Sequence, residues 1–261
     1  MEFLKASRRK SLVSELLYIA LNIALAAALF ALVATGSVAL AIVLVLVSKW
    51  RILAVRVRYW WANILANIVD VTVSMGAVAL LYLAGTSDQL GLYLQILVAI
   101  LYALWLIAIK PRSSKNWIAA QAAVGLMVGS WAVFAMAHLV PTVVVVVLMY
   151  IIGYGAARHV VISREEDQPS LLAMVFGLLI AEMAWVIYHW TVAYGAAALG
   201  DFKMPQGTIL MVLVGFLALR LYEIHAAGRS LRSAEAIVPT VFTVLLMLVL
   251  TLIFRAGTGI I

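Results

Sequence analysis

KWRILAVRVRYWWANILANIVD, residues 49–70, interrupts two long apolar runs and decides how the chain must be read. Lys49, Arg51, Arg56 and Arg58 are interleaved with Trp50, Tyr59, Trp60 and Trp61. Cations that reach phosphate and rings that sit at head-group depth mark a bilayer interface. The runs on either side are therefore separate membrane spans, and these eight residues are expected to contact anionic lipid head groups. Past Trp61 the stretch turns apolar again, yet carries Asn63, Asn67 and Asp70 with it.

Working outward, 67% of the 261 residues are hydrophobic, 11% are charged and the mean hydropathy is +1.15, values that exclude a soluble globular protein. A bilayer core of about 30 Å needs roughly 20 apolar residues per helix, whereas barrel strands are about half as long and alternate. The runs of this chain predict an all-α transmembrane bundle of about nine spans: Glu15 to Ala34, Ser37 to Ala54, Trp61 to Ala84, Leu90 to Ile109, Trp117 to His138, Val140 to Ala157, Ser170 to Gly195, Thr208 to Ile224 and Ala234 to Phe254. A break at Thr35-Gly36-Ser37 is needed to separate the first two.

With a cytoplasmic N-terminus, all but Lys203 and Arg255 of the 18 lysines and arginines fall on the cytoplasmic side, which places the C-terminus outside. The net charge of +7 then implies anionic lipids as partners and argues against nucleic acid. Residues 1–14 read as a basic cytoplasmic segment ahead of an uncleaved first span. Asp88 and Asp201 are expected in outer loops, and Arg56 and Lys115 in inner ones. No loop is long enough for a soluble domain, so residues 1–261 form one transmembrane domain. Gly125 with Gly129, and Gly153 with Ala157, are expected to let helices approach closely. Glu165-Glu166-Asp167 is expected to favour the start of the seventh span, which follows Pro169.

The informative residues are polar ones at lipid depth. Asn63, Asn67, Asp70 and Ser74 are spaced by 4, 3 and 4 and share one helical face, with Asp70 about 14 Å from the inner end of its span. Glu182, Trp185 and His189 share another face in the seventh span, and Arg220 enters the eighth from its inner end. A charged group at mid-membrane costs about 2.5–3.5 kcal/mol on the insertion scale, so these residues are expected to pair or to face water. Arg220 reaching Asp70 or Glu182 would make the third, seventh and eighth helices neighbours, either as a static network or as a relay through Asn63, Asn67, Asp70, Glu182, His189 and Arg220. The fourth helix, with Gln95 as its one interior polar group, is expected to face lipid.

Zero cysteines remove disulfides and thiolate sites. No lysine lies deep in a span to hold a Schiff base, no complete catalytic, nucleotide-binding or metal-binding motif is present, and His138 and His189 differ in depth as haem ligands. No cofactor or metal is expected. The segment from Lys49 to Asp70, with Gly153-Tyr154-Gly155-Ala156-Ala157-Arg158-His159 and Tyr188-His189-Trp190-Thr191, resembles stretches in uncharacterised multispanning membrane proteins of bacteria with reduced genomes. The resemblance implies a bacterial cytoplasmic membrane and no activity. Three functions stay open: a carrier or channel for protons, ions or a small solute using buried carboxylates; a membrane enzyme acting on a lipid-linked substrate; and a non-catalytic scaffold. A second copy or another membrane protein stays open as a partner.

Overall fold

The computed structural model describes residues 2–87, 90–189, 192–195, 199 and 202–252, with side chains from residue 12 onward. Asp88, Trp190, Thr191, Asp201 and Arg255 lie outside the described residues. Among the described residues ten α-helices follow in chain order: α1 (Glu2–Ala34), α2 (Val38–Ser48), α3 (Trp60–Ala66), α4 (Ile68–Gly85), α5 (Gly91–Leu104), α6 (Lys115–Ala135), α7 (Thr142–Ser163), α8 (Pro169–Tyr188), α9 (Gln206–Ala226) and α10 (Ala234–Leu252). A two-residue ribbon pairs β1 (Ala193–Tyr194) antiparallel to β2 (Met204–Pro205). Among the described residues eight helices are long and apolar enough to cross a membrane, and the pair Val38–Ile52 and Val57–Ala66, bent by 108°, can count as a ninth. The protein is an integral membrane protein with a multi-pass helical bundle.

Local chemistry explains where the helices stop. α1 ends as expected at Thr35-Gly36-Ser37, where Gly36 takes φ +79° and the Gly36 and Ser37 amides return to Val33 and Leu32 carbonyls. The second and third spans differ from expectation. α2 has 11 residues and gives way to a 3-10 turn at Trp50–Ile52. The run after Trp60 is split at Asn67, whose side-chain amide donates to the Asn63 carbonyl at 2.8 Å. Asn63 itself donates to the Ile52 carbonyl, 3.4 Å away across the bend. Such side-chain bonds offer the backbone an alternative to continuing the helix. The asparagines thus make a joint where the sequence suggested a polar face. Because α4 starts only at Ile68, Asp70 lies in its first turn.

α4 is the most buried of the long helices, with 61% of its span inside the bundle, and α10 the least at 11%. It packs on α5, α6, α1, α2 and α7. Glycines permit this: a Cβ on Gly125 would lie 2.9 Å from Val69 Cγ1, one on Gly129 2.5 Å from Thr72 Cγ2, and one on Gly76 2.6 Å from Val128 Cγ1. α7 lies along α8, with Gly153 set against Ile180 and Gly177 against Tyr150. α9 packs on α6 and touches α8 only lightly. The expected contact among the third, seventh and eighth spans, now α4, α8 and α9, is therefore replaced by α4 at the centre and α8 at the rim. The cause is steric, since small residues on α6 and α7 let those two helices take the places beside α4. α5 leaves most of its span outside the bundle, and its Gln95 turns inward to donate to the Leu81 carbonyl at 3.1 Å.

Candidate functional site

One end of the bundle gathers the ends of α2, α5, α7 and α9 with the starts of α4, α6 and α8, and it carries most of the described cations. The opposite end holds Lys203, whose carbonyl accepts from Trp131 Nε1 at 2.9 Å.

At the basic end, Lys49 caps α2 and its Nζ donates to Asp70 Oδ2 at 2.5 Å, while Lys110 reaches the same oxygen at 3.0 Å. Lys110 arrives there through a single π turn, Trp105–Ile109, which closes with its amide on the Trp105 carbonyl. The carboxylate is 12% exposed and Lys49 9%, so these two are a nearly buried pair, which the more exposed Lys110 joins to tie α2, α4 and α5 together. Asp70 Oδ1 is buried without a partner. Behind the triad, Tyr102 donates to Ser74 Oγ at 3.0 Å, and Ser74 donates to the Asp70 carbonyl at 2.7 Å. Lys49, one of the residues expected at lipid head groups, is paired with Asp70. Trp50, Arg51, Arg56, Arg58, Tyr59, Trp60 and Trp61 are all exposed around the 108° bend. Arg58 lies over the Tyr59 ring at 4.5 Å, and Trp60 Nε1 donates to the Leu53 and Val55 carbonyls, which closes the bend on itself.

A second polar group has no motif in the sequence to mark it. Gln121, buried near the start of α6, points its amide nitrogen at the carbonyls of Ile109, Lys110 and Arg112, at 2.8, 3.2 and 2.7 Å. Its Oε1 accepts from His159 Nε2 at 2.8 Å. These carbonyls belong to the end of the π segment and the turn that follows it, so Gln121 ties the start of α6 to the chain leaving α5 while His159 fixes its orientation. An amide in an otherwise apolar run is the one signal that could have found it.

The third group joins α7 and α9. Arg164 Nη2 meets Glu223 Oε1 at 2.6 Å, Arg220 Nη1 lies 3.4 Å from Glu223 Oε2, and the Tyr222 hydroxyl donates to Glu166 Oε2 at 2.8 Å. Arg220 therefore serves Glu223, not Asp70 or Glu182. Glu165, expected with its neighbours to favour the start of α8, instead closes α7 in a left-handed conformation at φ 59°, and Gln168 holds the N-cap without a side-chain bond.

Above this third group lies an apolar cleft of about 380 Å³ between α6, α7, α8 and α9. Its walls are made of small residues at facing positions, Ala119, Ala122 and Ala123 on α6, Ala156 and Ala157 on α7, and Gly215 and Ala218 on α9, flanked by Leu172, Phe176 and Phe216. Tyr222 closes its polar end. α8 and α9 both line the cleft yet barely touch each other.

Of the six relay candidates, Asn63 and Asn67 form the α3–α4 joint, Asp70 the lysine triad and Arg220 the Glu223 pair. Glu182 and His189 lie exposed on the outer side of α8, with His189 edge-on to Trp185 and Tyr188. These residues do not converge. Among the described residues no three His, Asp or Glu side chains gather as a metal site. No family model, curated protein or solved structure matches the chain.

Proposed function

We propose that this membrane protein holds the hydrocarbon chain of a lipid or lipid-linked molecule in the α6–α9 cleft, with its head group at the polar cluster of Arg164, Arg220, Tyr222 and Glu223. The observation that carries this reading is the apolar cleft bounded at one end by Tyr222, whose hydroxyl donates to Glu166 beside the Arg164–Glu223 pair. Its volume falls within the roughly 300–1,000 Å³ of small-molecule sites. A chain moving from bilayer to cleft gains no hydrophobic free energy, since lipid tails are already apolar. Selectivity therefore falls to the head group, where an anion can compete with Glu223 for the two guanidinium groups. The exposed cations and rings of residues 50–61 suit a bilayer contact at the same end, and the excess of lysine and arginine there supports a cytoplasmic-leaflet site. A carrier of protons or ions would draw on Asp70 and Glu182. Asp70 is engaged by two lysines on α2 and α5 while Glu182 lies on the outer side of α8, which favours the lipid reading.

The test uses purified protein in vesicles of phosphatidylcholine and phosphatidylglycerol, the latter carrying a diazirine on one acyl chain. Illumination is expected to label residues 156–161 and 212–219 more strongly than the lipid-facing side of α10. Ala157→Leu with Ala218→Leu, which fills the cleft at half-buried positions, should abolish the excess and spare α10. Labelling of the cleft no stronger than that of α10, or unchanged by filling, would overturn the reading.

A further inference from the structure

α8 buries Ala173, Gly177, Ile180 and Ala184 against the bundle, and on the far side of the helix it presents Leu171, Val175, Leu178, Glu182, Trp185 and His189. All six are exposed, Val175 by 58% and Trp185 by 57%. Their spacing is 4, 3, 4, 3 and 4, the repeat that keeps one seam facing a partner helix along a left-handed supercoil. Glu182 lies at the centre of this seam. It is 13 positions past Pro169, about 20 Å into the helix at 1.5 Å per residue, and among the described residues no group of its own chain bonds it. A carboxyl at that depth facing only lipid is costly, so something must hydrogen-bond it.

We propose that the outer face of α8 is a self-association seam, and that two copies of the chain pair through parallel α8 helices with their Glu182 side chains meeting across a two-fold axis along the bilayer normal. The occupant is a second copy because the seam is complementary to itself. Both copies insert with the same basic side, so their α8 helices run parallel and Glu182 meets Glu182. Where one of the two carboxyls carries its proton, that hydroxyl donates to the other's oxygen and a single shared proton joins the pair, whereas two carboxylates would both be acceptors. Val175 at one seam position with Leu171 and Leu178 at the other is the combination that favours two strands. A single polar residue in such a seam fixes register and number, and in α8 that role falls to Glu182. Trp185 and His189, in ring contact at 5.5 Å, continue the seam to its outer end.

The chain has no cysteine, so single cysteines report the seam directly. In vesicles of phosphatidylcholine and phosphatidylglycerol, Val175→Cys and Leu178→Cys are expected to form disulfide-linked dimers under mild oxidation, whereas Ile96→Cys on α5 and Leu245→Cys on α10 are not. On the Val175→Cys background, Glu182→Leu should weaken association by about five- to thirty-fold, the worth of an interhelical hydrogen bond in a membrane, while Glu182→Gln should retain it. Glu182 faces away from the bundle, so the fold should survive both changes, checked by circular dichroism. A wild-type chain that stays monomeric in these vesicles would overturn the proposal. Equal cross-linking from the control positions, or association unmoved by Glu182→Leu, would do the same.

Discussion

Asp70 shows how a single carboxylate can be expensive to place and still structural. Two lysines converge on one of its oxygens, and both Asp70 and Lys49 are nearly out of reach of water. Removing one member of a buried pair leaves the other uncompensated, at a cost of about 3–5 kcal/mol, whereas replacing a buried pair with apolar residues of similar size is often neutral. Asp70→Asn is therefore expected to destabilise the protein by roughly 3 kcal/mol, read from its unfolding in detergent. Lys110→Met should cost much less, because Lys110 is 37% exposed and its charge is already hydrated. Joining Asp70→Leu to Lys49→Met should recover most of the loss. A tolerated Asp70→Asn would refute the structural role of the triad. The sequence made Asp70 conspicuous, but its partners were hidden because Lys49 and Lys110 both read as ordinary interfacial lysines. Their convergence depends on the bend after Ser48 and on the π turn before Lys110, neither of which leaves a periodic signal.

Helix ends set the limits of what could be read at the next scale. Three helices close with the same pair of backbone bonds: α1 at Gly36, α9 at Gly228 and α7 at Glu165. The first two use glycine for a positive φ, and the third imposes it on a residue with a Cβ, at a cost of about 1 kcal/mol. Glu165→Gly is accordingly expected to stabilise the protein by about 0.5–1 kcal/mol, seen as a raised midpoint of thermal unfolding followed by tryptophan fluorescence. A lowered midpoint would mean that the Glu165 side chain does something its exposed position does not reveal. The long apolar spans were legible because each is set by local composition. The split at Asn67 was not, since Asn63, Asn67 and Asp70 keep helical spacing and only the side-chain bonds to backbone show that the helix stops between them. The cleft was legible in part, as alanine- and glycine-rich runs on α6 and α7, but small residues signal closeness and hollowness equally until the fourth wall is known.

Across the whole molecule, the bundle divides into a half built from α1, α2, α4 and α5 and a half built from α6 to α9, joined where α4 meets α6. The second half is less evenly closed. α9 is fastened at one end by Gln206, whose amide donates to the Leu250 carbonyl at 2.7 Å, and at the other by the Arg164–Glu223 pair and the Tyr222–Glu166 bond. Between these fastenings its contact with α8 is slight and the cleft intervenes. Loosening the basic end should therefore free α9 without disturbing α4. Arg164 and Glu223 are partly exposed, so their pair is worth about 1 kcal/mol, or roughly fivefold in a local opening equilibrium. Glu223→Gln is expected to speed amide hydrogen exchange in residues 219–226 by about that factor and to leave residues 68–85 unchanged, because α4 is held by contacts that the pair does not touch. Exchange that rose equally in α4 would mean the two halves open as one unit, and exchange unmoved in α9 would mean the pair fastens nothing.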